Sequence, residues 1–351
     1  MMKNTESVPY SYYSVIVPSY NRQDEIQELL QSFLALEFDS RRLELIIADD
    51  GSSDNTGQVV ESFRSRLPFP LHFFSQKNQG PGAARNMGME KARGDFFIFI
   101  DSDCTVPADW LQQIDHQLST QPADAFGGRD SFRPDFPDLL KAINYSMTSF
   151  ITTGGLRGRK GKKLAKFYPR SFNMGLSRQL YTKIGGFGSL RHGQDIEYSH
   201  RMIKSGSRIK YIHEAVVYHK RRTSLKKFFR QVFNWGVARI NLSRIDPGML
   251  EPLHAAPAVV TLGLVLLLLG SIIFRPVWLA AQWLSGLAIL VLLISGVHAA
   301  IKYRSPAMLY LVPVVMPIQI LGYGAGFLLA FLYRVILGKP EFTGFKKKYY
   351  H

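Results

Sequence analysis

The chain has 351 residues and a single cysteine, Cys104, which excludes an internal disulfide framework and, beside two aspartates, matches neither a zinc site nor a redox pair. Its 43 Lys and Arg against 27 Asp and Glu leave a net charge of +16, and much of the excess lies between Arg157 and Arg244. A basic collar just before a strongly apolar last third favours anionic lipid headgroups or phosphorylated substrates, and it argues against a nucleic-acid surface.

The first hundred residues alternate between two periods. Short apolar or β-branched runs at Ser14 to Val17, Leu43 to Ala48, Leu71 to Phe74 and Phe96 to Ile100 predict strands. Helical stretches from about Asp24 to Leu36, Asn55 to Arg66 and Gly82 to Lys91 separate them, each long enough to cross between parallel strands. The expected fold is therefore α/β, with a doubly wound, mostly parallel sheet. Ligands of such sheets bind beyond the carboxyl ends of the strands, where this chain carries PSYNR, DDGSSDNT, KNQGPGAARN and DSDC. MMKNTESVPYSYY at the start has no apolar signal-peptide core, so the sheet domain is expected on the cytoplasmic face.

Beyond Asp103 the regularity weakens, and glycines and basic residues between Gly154 and Lys166 read as loops over a cleft. SLKKFFRQVFNWGVARINL then puts Leu225, Phe228, Phe229, Val232 and Trp235 on one helical face, opposite Lys226, Lys227 and Arg230. Such a helix either lies on a membrane surface or packs on the soluble domain. Three apolar segments follow, at about Ala255 to Phe274, Val277 to Ile301 and Ala307 to Leu332, each near or above the roughly 20 residues a bilayer needs. Three crossings would carry Arg334, Lys339 and Lys346 to Lys348 outside, against the positive-inside bias. Pro313 and Pro317 are expected to break the third segment into a re-entrant or interfacial piece, which returns the basic tail to the cytoplasm. The expected division is a sheet domain at 1–222, an interfacial helix and linker at 223–250, a transmembrane region at 251–338 and a basic tail at 339–351.

Asp49 and Asp50 follow LELIIA at a strand end, with Gly51 and Ser52 allowing a turn and Asp54 set to cap the next helix. Asp101 and Asp103 follow FFIFI in the same relative position, and two hard oxygen ligands so spaced can engage a divalent cation that bridges nucleotide phosphates. Each string is common by itself. Taken together, VIVPSYNR, ADDGSSDNT, NQGPGAARNMGMEKARGDF leading to IDSDC, and GQDIEYSHRMIKSG resemble the family 2 glycosyltransferases of the GT-A fold, over about Ser14 to Trp235.

The resemblance implies an inverting transfer from a nucleotide diphosphate sugar. It implies nucleotide contacts from Pro18 and Tyr20, a base read by Asp50, Arg85 near the donor, Asp101 and Ser102 against ribose or sugar, and Asp103 on Mg²⁺ or Mn²⁺. His219 looks like a histidine that some relatives bring to the metal or diphosphate, or it simply ends a strand. Asp195 is the candidate base for the acceptor hydroxyl, with Gln194 where relatives carry an acidic residue. Lys220, Arg221 and Arg222 either serve the diphosphate or face lipid. Gln231, Asn234 and Trp235 resemble the Q-x-x-R-W signature of processive members, with asparagine for arginine; Gln231 and Trp235 would meet acceptor or diphosphate, or Trp235 anchors its helix at the interface.

The expected function is single-sugar transfer to a lipid-linked or membrane-proximal acceptor in glycan synthesis, with membrane lipids but no nucleic acid as partners. The competing functions are a processive polysaccharide synthase and a non-catalytic membrane-bound binding module.

Overall fold

Each of the four apolar runs in the first hundred residues is a strand bounded by polar turn residues, and the first three are each followed by a helix that returns the chain. The computed structural model describes residues 10–131, 136–153, 167–219 and 224–345. The opening elements are β1 (Tyr13–Ser19), α1 (Gln23–Phe33), β2 (Leu43–Asp49), α2 (Thr56–Phe63), β3 (Leu71–Ser75), α3 (Pro81–Lys91) and β4 (Phe96–Ile100). β1 pairs in parallel with both β2 and β4, and β2 with β3. Alternate residues of β1 serve two cores: Val15 and Val17 pack with Leu29 and Phe33 of α1, and Ile16 packs on the other face with Ala84 and Met89 of α3. α3 sits close to the sheet through a glycine, since a Cβ on Gly88 would lie 2.4 Å from Ile16 Cγ2.

The next elements are β5 (Cys104–Thr105), α4 (Trp110–Thr120), β6 (Ala125–Ser131), α5 (Asp138–Thr148), α6 (Phe150–Thr153), β7 (Asn173–Ser177), α7 (Arg178–Ile184), α8 (Gln194–Lys204) and β8 (Ile209–His219). They extend the sheet to the order β3-β2-β1-β4-β7-β6-β8-β5. The parallel expectation holds for the first four strands, but β7 runs antiparallel to β4 and to β6. Closure of the second half follows from chain length. Four residues from Ile100 to Cys104 reach about 14 Å at most, whereas four strand spacings of a flat sheet need about 19 Å. The sheet between β4 and β5 therefore curls, bringing β5 and its partner β8 towards the end of β4.

Residues 10–131 and 167–219 form one compact unit, and 136–153 with 224–345 form a second. α5 and α6 thus belong to the helical unit, although they fall within the 1–222 stretch expected of the sheet domain. The rest of that unit is α9 (Leu225–Ile245), α10 (Pro252–Ile273), α11 (Arg275–Tyr303) and α12 (Met308–Phe331), the last ending in a π turn at Leu332–Ile336. Three of these, α10 to α12, are long and apolar enough to cross a membrane.

One expectation changes here. Pro313 and Pro317 do not break the third segment: α12 is continuous through both. Each proline removes one backbone donor, but side-chain packing holds the helix, with Val312, Val315 and Met316 buried among Ala142, Ile143, Phe228 and Val232. Of the apolar face expected on α9, Phe228 and Val232 are buried in the cluster with α12 and α5, with Leu225 and Trp235 partly buried against it, and a second group of its residues packs further along. Phe233, Val237 and Ile240 pack with Phe327 and Ala330 of α12. The two helices meet through glycines: a Cβ on Gly236 would lie 2.1 Å from the Tyr323 carbonyl oxygen, and one on Gly326 2.1 Å from that of Phe233. The basic face of α9, with Lys226, Lys227 and Arg230, is exposed.

Candidate active site

The ends of β1 and β2 are laced into one rim beyond Pro18, Ser19 and half-buried Tyr20. Asn21 adopts a left-handed conformation (φ 50°), from which its N–H donates to Ser52 Oγ at 2.8 Å and its Oδ1 accepts from the Ser53 N–H at 2.7 Å. Asp54 caps as expected, accepting from the N–H groups of Thr56 (3.0 Å) and Gln23 (3.1 Å). Asp49 turns inward, accepting from the Ser52 N–H at 3.0 Å and from Ser75 Oγ at 2.8 Å.

Asp50, expected to read the base, is buried and holds its own framework. Its carboxylate accepts from Gln76 Nε2 (2.8 Å), the Gln79 N–H (2.9 Å) and the Gly80 N–H (2.6 Å), which fixes the loop leading into α3. Burial pushes this carboxyl above the ordinary carboxylate range, and the three hydrogen bonds oppose the rise. Asp50→Ala should leave buried donors without an acceptor, cost about 1–3 kcal/mol, and loosen the segment that starts α3. Thermal denaturation beside nucleotide titration checks this: an unchanged Tm would show that the loop does not depend on Asp50.

That loop positions the next group. Gly80 takes φ 97°, and Pro81 begins α3. A Cβ on Gly82 would lie 2.8 Å from both terminal atoms of Gln194, so this glycine lets the start of α8 press against the start of α3. One turn on, Arg85 Nη2 meets Asp101 Oδ1 at 2.6 Å, and its guanidinium lies 5.4 Å from the centre of the Phe187 ring. Arg85 is 6% exposed and Asp101 31%, so the arginine is spent on holding Asp101 at the rim rather than on solvent. Asn86 fixes the loop bearing Phe187, donating to the Phe187 carbonyl at 3.0 Å and accepting from its N–H at 2.7 Å. Arg201 of α8 donates to the carbonyls of Ile184 and Gly186, both at 2.6 Å.

Asp195 occupies the first turn of α8, after Gly193 in a left-handed conformation. Arg170 Nη1 approaches Asp195 Oδ2 at 3.2 Å, a pairing that sequence spacing does not reveal. Buried Ser102 and half-buried Asp103 follow Asp101 in the turn between β4 and β5. In the backbone register Cys104 faces His219, so β8 ends one residue from Asp103. Burial, with the charges of Asp103 and Asp101, pushes the Cys104 thiol up, which keeps it protonated.

The fold thus gathers Asp101, Asp103, Arg85 and the neighbour of Asp195 at one rim. Other members of the expected set belong to the second unit or to residues not described. Gln231 and half-buried Trp235 lie on α9 of the helical unit, and Arg221 lies outside the described residues. Asn234, at the place of the signature's arginine, is buried and clamps the chain near the C-terminus, with its Nδ2 donating to the Phe345 carbonyl at 3.0 Å. Among the described residues, no three His, Cys, Asp or Glu side chains group tightly enough to hold a metal by themselves. A pair of rim carboxylates suits a hard cation that completes its shell with water and phosphate oxygens.

Residues 14–185 match the family model of Glycosyl transferase family 2. Glycosyltransferase AglE of Haloferax volcanii is 26% identical over 249 residues, 69% of this chain and 79% of AglE. The poly(ribitol-phosphate) beta-N-acetylglucosaminyltransferase TarS of Staphylococcus aureus is 40% identical over 91 residues, 26% of this chain but only 16% of TarS. The solved mannosyltransferase PcManGT from Pyrobaculum calidifontis, in complex with GDP-Man and Mn²⁺, superposes with a TM-score of 0.61 at 20% identity, covering 89% of this chain and 88% of that one. At that identity the likeness speaks to the fold alone. With the sheet order, the strand-end carboxylates and the family match in agreement, residues 14–185 form a family 2 glycosyltransferase domain of the GT-A fold.

Proposed function

We propose that this glycosyltransferase moves one sugar, with inversion, from a uridine or guanosine diphosphate sugar to a lipid-linked or membrane-proximal acceptor, on the cytoplasmic face of a membrane. The observation that carries the reading is the linkage from Asp101 through Arg85 to Gly82 and Gln194, which sets the α8 start bearing Asp195 against the helix that braces the rim carboxylates.

Pro18 and Tyr20 bind the nucleotide above the framework that Asp50 fixes, and Asp101 with Ser102 meets ribose or sugar. Asp195, oriented by Arg170, takes the acceptor hydroxyl proton as that oxygen attacks the anomeric carbon. The bond from that carbon to the diphosphate oxygen breaks, and the nucleoside diphosphate leaves with the electron pair. Asp103, with Asp101 beside it, would hold Mg²⁺ or Mn²⁺, which when bound supplies positive charge to the leaving diphosphate, and His219, whose side chain lies outside the described residues, is the further ligand expected. The exposed apolar helices α10 and α11 support an acceptor presented at a membrane. Processive synthesis has less support, because Asn234 is committed to the Phe345 backbone and offers no charge to a diphosphate. A non-catalytic module has no motive while Asp101, Asp103 and Asp195 all stand.

A donor panel tests the reading. Purified protein with each nucleotide diphosphate sugar should release nucleoside diphosphate from one donor, faster with added membrane lipid extract and not at all after chelation of divalent metal. Release stimulated by a soluble glycan and indifferent to every lipid extract would remove the membrane acceptor.

A further inference from the structure

The three helices long enough to cross a bilayer have unlike surroundings. α10 and α11 are joined at Phe274 and expose apolar side chains over much of their lengths, with Ile272 80% and Trp283 82% accessible. Among the described residues nothing polar covers these side chains, and contiguous surface of this kind suits acyl chains. α12 is covered instead. Met308, Val312 and Met316 pack in one cluster with Phe228 and Val232, and Phe327 and Ala330 pack in another with Val237 and Ile240. α9 and α12 therefore run side by side, early residues against early and late against late.

What holds for α9 then holds for α12. α9 carries Lys226, Lys227, Arg230, Arg239 and Arg244 within 21 residues, a composition that does not enter a hydrocarbon core. It also begins only a few residues after β8, through the basic stretch 220–223, which is too short to cross a bilayer. α9 thus stays on the side of the catalytic domain. The chain after α12 is tied back to it: Arg334 Nη1 donates to Asn241 Oδ1 at 3.0 Å, Asn241 Nδ2 to the Phe342 carbonyl at 2.9 Å, and the Phe345 N–H to Asn234 Oδ1 at 2.9 Å. α5 is tied to both neighbouring helices: Asn144 Nδ2 donates to Oη of Tyr303, the last residue of α11, at 3.0 Å, and Ser146 Oγ donates to buried Gln319 in the middle of α12 at 2.7 Å.

We propose that only α10 and α11 cross the bilayer, as a hairpin, and that α12, despite its length, lies with α9 and α5 in a layer at the membrane surface. The lipid partner of this layer is the headgroup and upper acyl region, met by Tyr310, Val314 and Leu329 of α12, which are exposed. Lys302, Arg304, Arg334 and Lys339 then all stay on the side of the catalytic domain, in keeping with the positive-inside bias. The inference rests on the membrane placement proposed above. It does not use a break at the prolines, since α12 has none.

Single cysteines decide it. In a Cys104→Ser background, Arg275→Cys, Pro306→Cys and Lys339→Cys are each checked for nucleoside diphosphate release. Ala307→Cys takes the place of Pro306→Cys if that variant is inactive. An impermeant maleimide is then applied to intact cells and to permeabilised ones. The expected result is labelling at 275 in intact cells and at 306 and 339 only after permeabilisation. Labelling at 275 and 339 in intact cells with 306 protected would establish a third crossing and overturn the proposal, as would protection at all three positions. Labelling at 306 and 339 with 275 protected would keep the hairpin and overturn only the cytoplasmic placement of the proposed function. Extraction of the protein by alkaline carbonate would overturn both membrane statements and leave the transfer chemistry to the release assay.

Discussion

Asp195→Asn is expected to lower transfer to acceptor by about 10²–10⁴-fold, the range that a positioned general base contributes, with donor affinity unchanged. The amide has nearly the same shape and can still accept from Arg170 Nη1, now 3.2 Å from Oδ2, but it cannot take a proton from the acceptor hydroxyl. Donor contacts are assigned to the ends of β1, β2 and β4, whereas Asp195 lies at the start of α8, so donor binding and transfer should separate. Nucleotide titration gives the first quantity and single-turnover transfer the second. Transfer near the wild-type rate would remove Asp195 from the mechanism and leave the base to be sought elsewhere. Loss of both quantities with a lowered Tm would instead mean that the Arg170 pair holds the segment before β7 to α8, a structural role.

The parts of this arrangement that are legible in the sequence are those with strong local grammar. β1, β2 and β4 are buried throughout and therefore written mostly in apolar residues, with buried Ser14 donating to buried Glu44 where β1 and β2 depart from the pattern, and the turns at their ends are written in Asp, Ser, Asn and Gly. β7 has no such grammar. It reads NMGLS, where Gly175 is required because a Cβ there would lie 2.6 Å from both Phe96 and Phe126 rings, a demand set by distant residues. The two carboxylates of DDG look alike in sequence. Only the fold shows that Asp49 ties Ser52 and Ser75 while Asp50 ties Gln76, Gln79 and Gly80. Arg170 is likewise silent until α8 is brought beside it. In the helical unit, composition gives the three long helices, but it does not tell a lipid-facing helix from one covered by α9 and α5. Hydrophobic period identifies a face to be buried and says nothing of whether lipid or protein buries it.

Asp103→Ala is expected to abolish turnover, a loss of at least about 10²–10³-fold if the residue holds charge against the leaving diphosphate, and to end the dependence of donor binding on Mn²⁺. The fold should survive. Asp103 lies half-buried in the turn between β4 and β5, outside both hydrophobic cores of the sheet domain, so its truncation opens no cavity in either core. Asp101 would make a poorer probe. Its removal strips the partner from Arg85, which is only 6% exposed, and a buried group left unpaired costs about 1–3 kcal/mol. Lost activity in an Asp101 variant would therefore mix chemistry with a loosened α3. With Asp103→Ala the two separate: a Tm within a few degrees of wild type, nucleotide binding that no longer strengthens when Mn²⁺ is added, and no nucleoside diphosphate release. A folded Asp103→Ala protein whose nucleotide affinity still rises with Mn²⁺ as in the wild type would move the cation away from this turn. The remaining carboxylates and the end of β8, paired with Cys104 through His219, would then be the place to look for it.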